Sequence, residues 1–250
     1  MTTPPDSLPV LIGLPYSPWS ERARWALELR RIPYRSQRYQ PITGELELRR
    51  LTGRWRGAVT VPLLVAGKVV LADSYDIARW ADERGEGQRL FPEGREREVA
   101  TWNALSERGL AAGRALSLTR MLADREALLE MVPRGLRGVP AIASRIAAVG
   151  VARTLRKYRR DHDPRTDLEV VLDEVRAALG KHEGDEPQAL LGTFSYADMA
   201  IAQVLTFVSP PSTGLRIAPA SRRTFRDAAL IEQYADLVSW RDALYARWRS

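Results

Sequence analysis

The chain has 250 residues, 45% apolar and 28% charged, with a formal net charge of +7. It has no cysteine, which excludes disulfides, thiolate metal sites and a cysteine nucleophile. The length allows one large domain or two modest ones. No apolar run approaches the roughly 20 residues of a membrane span, and the positive balance mildly favours anionic partners.

Residues 1–6 lack a basic start and an apolar centre, so a signal peptide is not expected and a cytoplasmic location is the default. The apolar run 9–14 reads as a strand. It is followed by Tyr16-Ser17-Pro18-Trp19-Ser20-Glu21-Arg22 and a helical pattern over 17–31. Ser17 suits the N-cap and Pro18 the first helical position. Free N–H groups and the helix dipole at such a start favour an anion, such as a thiolate or a carboxylate. Ser-Pro is also simply a good way to begin a helix, so the residues alone leave both readings open.

Next come a strand at 34–39, a helix near 44–52, a hairpin of strands at 60–65 and 68–71, and a helix at 73–84. This order predicts a small mixed sheet flanked by helices. Asp73 with Asp76 has capping-box spacing. Residues 85–94 carry three Gly and a Pro and read as a linker.

Beyond Arg95 the pattern is helical, with expected helices over 98–116, 117–131, 142–158, 165–179, 198–207 and 227–248, and a breaker-rich loop at 209–221. Ser195-x-x-Asp198 reads as the capping box of a buried helix. From Arg134 to Arg160 there are eight basic residues and no acid, with Arg145, Arg153, Arg156 and Arg160 near one helix face. That segment reads as a solvated face or as a patch for an anionic substrate, membrane surface or partner. No set of stacking aromatics is evident there, so nucleic acid is not expected. His162 and His182 both sit among charges, which gives no support to a metal site or to a Ser/His/Asp triad.

Several of these elements together resemble the glutathione S-transferase family. They are Ser17-Pro18-x-x-x-Arg22 after the first strand, Leu27 through Tyr34 into the second, Val61-Pro62 at the third, Asp73-Ser74 after the fourth, and Gly192 through Asp198. The resemblance covers nearly the whole chain, with its clearest motifs in 9–84. It implies an α/β thioredoxin-like glutathione-binding domain at 1–84, a linker at 85–94 and an all-helical bundle at 95–250.

It also implies roles. The Ser17 hydroxyl would donate a hydrogen bond to the glutathione sulfur and favour the thiolate. Tyr16 and Ser20 are rival donors. A cis Val61–Pro62 bond would expose the Val61 backbone to the cysteinyl part of glutathione. Ser74 would bind the γ-glutamyl carboxylate and Asp73 the ammonium, although both also read as helix caps. Arg22 is expected to pack or pair within the first helix. The second substrate would lie near Trp19, Trp102 and Leu116.

Members with Cys at the Ser17 position are thiol reductases, so Ser17 argues against that activity. The implied activity is that of a Ser-type glutathione transferase. It would direct the thiolate of its cosubstrate at a small hydrophobic electrophile, as in detoxification, without a metal, in a homodimer. Isomerase or peroxidase chemistry of the same kind is not separated from this. The rival reading is a non-catalytic binding or regulatory protein that works through its basic surface around 134–160. Contact with a membrane surface is the lesser expectation among partners.

Overall fold

The computed structural model describes residues 8–40, 44–132, 138–157, 163–180 and 188–249. Both histidines, residues 1–6, and Arg134, Arg137, Arg159 and Arg160 of the basic segment lie outside them.

The first part alternates strand and helix: β1 (Val10–Gly13), α1 (Pro18–Leu29), β2 (Arg35–Arg38), α2 (Gly44–Thr52), β3 (Leu63–Ala66), β4 (Val69–Leu71) and α3 (Ser74–Arg84). The sheet order is β2-β1-β3-β4. β1 runs parallel to β2 (Val10 beside Arg35), β3 antiparallel to β1 (Ile12 beside Leu63), and β4 antiparallel to β3 (Leu64 beside Leu71). This is the expected α/β sheet with helices packed on it. The largest boundary difference is at β3, which starts at Leu63 rather than residue 60, because Pro62 has no N–H to give the ladder.

The second part contains only helices among its described residues: α4 (Glu96–Ala123), α5 (Arg125–Glu130), α6 (Pro140–Lys157), α7 (Pro164–Leu179), α8 (Tyr196–Val204), α9 (Pro219–Phe225), α10 (Ala228–Gln233) and α11 (Ala235–Trp248). A 3-10 turn at Leu205–Phe207 extends α8. α4 is the axis, packing on both α7 and α8. Two glycines permit that approach. A Cβ at Gly109 would lie 2.7 Å from the Val204 side chain, and one at Gly113 would lie 2.5 Å from Phe207.

Three details differ from the sequence reading. The expected helix over 117–131 is divided, because Asp124 ends α4 and its carboxylate caps α5 at the Ala127 N–H, 3.0 Å away. The expected final helix over 227–248 is broken at Tyr234, whose φ of −119° and ψ of 34° leave the helical region. α9 emerges from the end of the 209–221 loop, started by Pro219 at its first turn.

α9 has no cap from its own residue Ala218. Glu130 supplies one from α5, accepting from Ala220 N–H at 2.9 Å, Ser221 N–H at 2.6 Å and the Ser221 hydroxyl at 2.8 Å. Burial alone would push the Glu130 pKa up, but these bonds outweigh it and hold it below the ordinary value. A lowered folded pKa contributes stability above the unfolded pKa, and that stability is lost as pH falls through the folded one. Glu130→Gln should therefore cost about 1 kcal/mol at neutral pH. The gap from wild type should close under acid, as read by urea unfolding at several pH values.

The two parts share a core. Trp25, Ala26 and Ala78 of the first part belong to one buried apolar cluster with Leu110, Leu172, Met199, Ile201 and Leu244 of the second. The Trp25 indole N–H donates to the Trp248 carbonyl at 2.7 Å. Phe91 of the expected linker stacks on Tyr196 at 5.5 Å, and Tyr75 meets both rings edge-on. This packing fixes the start of α3 against the start of α8.

Candidate functional site

Sheet topology decides where the predicted site residues go. β1 ends at Gly13 and leads into the N-terminus of α1. β3 runs opposite to β1, so its start, and Val61-Pro62 before it, lies at that same end of the sheet. β4 runs opposite to β3, so it finishes there too and leads into the N-terminus of α3. Ser17, Val61-Pro62 and Asp73-Ser74 therefore share one end of the sheet.

Ser17 is the N-cap of α1, with φ −88° and ψ 125°, and Pro18 follows in the first turn. Its carbonyl accepts from Glu21 N–H at 2.9 Å. Its hydroxyl oxygen accepts from Ser20 N–H at 3.4 Å. Among the described residues no protein group takes the hydroxyl proton, which leaves it able to donate.

The two rivals are placed differently. Ser20 is fully buried, and its hydroxyl accepts from Leu14 N–H at 3.1 Å, closing the turn from β1 into α1. Tyr16 is half-buried, and its pKa is raised by burial, partly offset by Arg38 and reinforced by Tyr39. It belongs with the end of β2.

The Val61–Pro62 bond is cis. The β1–β3 register ends at Leu63, so the Val61 backbone stands outside that ladder. Val61 is half-buried and Pro62 buried.

Asp73 is the N-cap of α3, with its carboxylate accepting from Tyr75 N–H at 2.7 Å. The reciprocal bond expected from Asp76 is not made, so this is a single cap and not a box. Ser74 is buried and Asp73 exposed. The surrounding protein still partly desolvates the Asp73 carboxylate and raises its pKa. The Tyr75 N–H opposes this, Glu107 and Asp76 reinforce it, and Arg22 opposes it.

Arg22 corrects the sequence reading. It does not pair within α1 but crosses to the helical part, fully buried. Its guanidinium donates to Glu107 at 2.5 Å, to the Ser106 hydroxyl at 2.7 Å and to the Ala200 carbonyl at 3.0 Å. Glu107 on α4 also accepts from the Trp19 indole at 2.8 and 3.0 Å, and Arg114 lies 4.9 Å over that ring. Trp102 and Leu116 are partly buried against the shared core.

Two groups at this end were not singled out from the sequence. Glu107 faces the Asp73 carboxylate closely enough to shift it. The Tyr196 hydroxyl is fully buried beside the Ser74 side chain. Burial pushes its pKa up to about 12, while Arg22 and the Ser74 side chain oppose the shift. Both depend on α4 and α8 folding back over α1 and α3, and no local pattern marks that.

The predicted capping box is complete. The Asp198 carboxylate accepts from Ser195 N–H at 2.8 Å, the Ser195 hydroxyl at 3.1 Å and Leu190 N–H at 2.7 Å. It anchors α8, which carries Ala200 to Arg22. No group of acidic residues and histidines able to hold a metal occurs among the described residues.

Comparison with known proteins agrees with this architecture. Residues 16–84 match the family model described as glutathione S-transferase, N-terminal domain. A glutathione transferase of Phanerochaete chrysosporium superposes with a TM-score of 0.60 at 18% identity, over 96% of this chain and 95% of that one. A glutathione S-transferase of Methylobacillus flagellatus, solved with glutathione bound, gives 0.58 at 17% identity over 95% and 94%. One of Ceriporiopsis subvermispora, in complex with glutathione, gives 0.58 at 16% identity over 96% and 94%. No protein of curated function matches the chain in sequence. Residues 16–84 thus match the glutathione S-transferase N-terminal domain, and the chain as a whole has the glutathione S-transferase fold.

Proposed function

We propose that this protein is a Ser-type glutathione transferase with its thiol site at the Ser17 end of the sheet. The observation that carries the reading is the meeting there of a free hydroxyl proton at one helix start, an unladdered Val61 backbone, and a second helix start at Asp73-Ser74. Two of the similar structures were solved with glutathione bound.

In this reading residues 1–84 bind glutathione, 85–94 link, and 95–250 cover the site. The γ-glutamyl carboxylate meets Ser74 and the N-terminus of α3, and its ammonium meets Asp73. The Val61 backbone pairs with the cysteinyl part as an added strand edge. The sulfur then lies at the start of α1, where the Ser17 hydroxyl donates to it. A thiolate is a far better nucleophile than a thiol. It attacks an electrophilic carbon, and the displaced group leaves with the bonding electrons or, in conjugate addition, a proton is taken up. Serine does not act as the base. It stabilises the charged form of the cosubstrate, assisted by the α1 dipole. A cytoplasmic homodimer is part of the same proposal.

Asp73 gives the test. Its raised pKa means protonation begins at a higher pH than for an ordinary carboxylate near about 4. Protonation removes the charge that holds the ammonium. Glutathione affinity should therefore fall as pH drops, beginning above that range. Asp73→Asn should weaken binding roughly tenfold at neutral pH, in line with one charged hydrogen bond, and abolish the pH dependence. Calorimetric titrations of both proteins across pH read this. Unchanged affinity in Asp73→Asn would remove Asp73 from the site.

The non-catalytic reading is favoured by one observation, the apolar and basic outer face of α6, which no part of this chemistry uses.

A further inference from the structure

α6 is turned the unusual way round. Its inner side is made of small residues: Ala143 and Ser144 are buried, Val151 joins Met121, Ala127 and Leu128 in a small core, and Ala147 and Ala148 pack beside them. Its outer side carries the larger branched residues. Ile142, Ile146 and Val149 are 57%, 65% and 70% exposed, and Val139 just before the helix is 55% exposed. Of the nine large apolar side chains exposed among the described residues, these are four.

At about 100° per residue, Ile142, Ile146, Val149, Arg153 and Arg156 fall on one stripe, with Arg145 at its edge. All three arginines are exposed. The outer face is thus apolar toward its start and basic toward its end. α6 packs on α4 and α5 from its other side. Ordered solvated helices put polar residues outward, so this pattern calls for an occupant.

Charge chooses among occupants. A second copy meeting the apolar part of this face about a two-fold axis would bring Arg145 near its own image. Residues 134–160 contain eight basic residues and no acid to answer them. A partner protein would have to bring its own apolar groove and its own acids. An anionic lipid surface asks for neither. Ile and Val side chains enter the boundary between headgroups and chains, while arginines pair with phosphates. The net charge of +7 acts in the same direction. No helix among the described residues is long and apolar enough to span the bilayer, so contact of this kind would be peripheral.

We propose that the outer face of α6, built from Ile142, Ile146, Val149, Arg145, Arg153 and Arg156, is a docking surface for anionic phospholipid bilayers. The proposal is independent of glutathione chemistry. Its test is flotation of the full chain with vesicles of phosphatidylcholine alone, or containing roughly one-third phosphatidylglycerol. Binding is expected on the anionic vesicles, about tenfold or more weaker on the neutral ones, and reduced by added salt. Ile146→Ser with Val149→Ser should reduce anionic binding about tenfold or more. Arg153→Gln with Arg156→Gln should reduce it roughly fivefold per arginine. Neither pair should change the thermal midpoint by more than a few degrees, since the side chains are exposed. Absence of binding to anionic vesicles overturns the proposal, as does binding indifferent to both pairs. A dimer in light scattering that Ile146→Ser with Val149→Ser dissociates, without vesicle binding, would assign the face to a second copy.

Discussion

Replacing Ser17 with alanine should raise the pKa of the bound glutathione thiol by about 1–2 units. A hydrogen bond to a charged group contributes about 1.5–3 kcal/mol, and one pKa unit corresponds to about 1.4 kcal/mol. The sign follows from which form the hydroxyl favours. Donation to sulfur stabilises the thiolate over the thiol, so its loss moves the pKa up. At neutral pH the thiolate fraction falls about tenfold or more, and the turnover number with a test electrophile should fall by roughly 10–100-fold. The pH–rate profile should shift to higher pH by the same interval, and at high pH much of the rate should return. Affinity for glutathione should change little, since the substitution leaves Val61, Asp73 and Ser74 of the proposed site in place. Stability should drop by about 1 kcal/mol, because the hydroxyl also caps α1. Thiolate absorbance of the bound cosubstrate, titrated in both proteins, separates the chemical effect from the structural one.

The second large effect concerns Asp198. Its carboxylate is fully buried and accepts from three donors. Asp198→Ala leaves Leu190 N–H, Ser195 N–H and the Ser195 hydroxyl without that acceptor. Unsatisfied buried donors cost about 1–3 kcal/mol each, although partial relaxation keeps the sum lower. A loss of about 3 kcal/mol is expected, or roughly 6–12 °C in thermal midpoint for a chain of this length. Asp198→Asn keeps one acceptor and should cost less. The pH dependence has a definite sign. Burial pushes the Asp198 pKa up to about 6, against the opposing pull of its hydrogen bonds. The folded chain then binds the proton more tightly than the unfolded chain, whose value is near about 4. Between these values the stability from this group grows as pH falls and shrinks as pH rises. The difference between wild type and Asp198→Asn in denaturant unfolding should therefore narrow from pH 4 to pH 6.

Ser17 and Asp198 were legible in the sequence for the same reason: each is a cap, and caps are written locally. Ser-Pro before a helical pattern, Pro62 at a strand start, Asp-Ser before the next helix, and Ser-x-x-Asp each occupy a few adjacent residues. The sheet end they mark follows from strand order, which the structure supplies, whereas the alternation of apolar runs and turns indicated only a small mixed sheet. Arg22 was misjudged because its partners lie 84, 85 and 178 residues away. No spacing within α1 predicts that Glu107, Ser106 and the Ala200 carbonyl will converge on it. Glu107 and Tyr196 escaped notice for the same cause. Tyr234 breaks a helix whose apolar periodicity runs on through it, and Pro219 begins a helix where Pro and Gly had suggested only a loop. In both places tertiary packing overrode the local signal. The outer face of α6 was half legible: its charge stood out in the sequence, whereas the outward placement of Ile142, Ile146 and Val149 depends on which side meets α4.

The most direct measurement is a calorimetric titration of the purified protein with glutathione at neutral pH, with Asp73→Asn beside it. Micromolar to millimolar binding at one site per chain, weakened by the substitution, is the predicted result. Absence of binding by a folded protein would contradict the thiol site at the Ser17 end of the sheet.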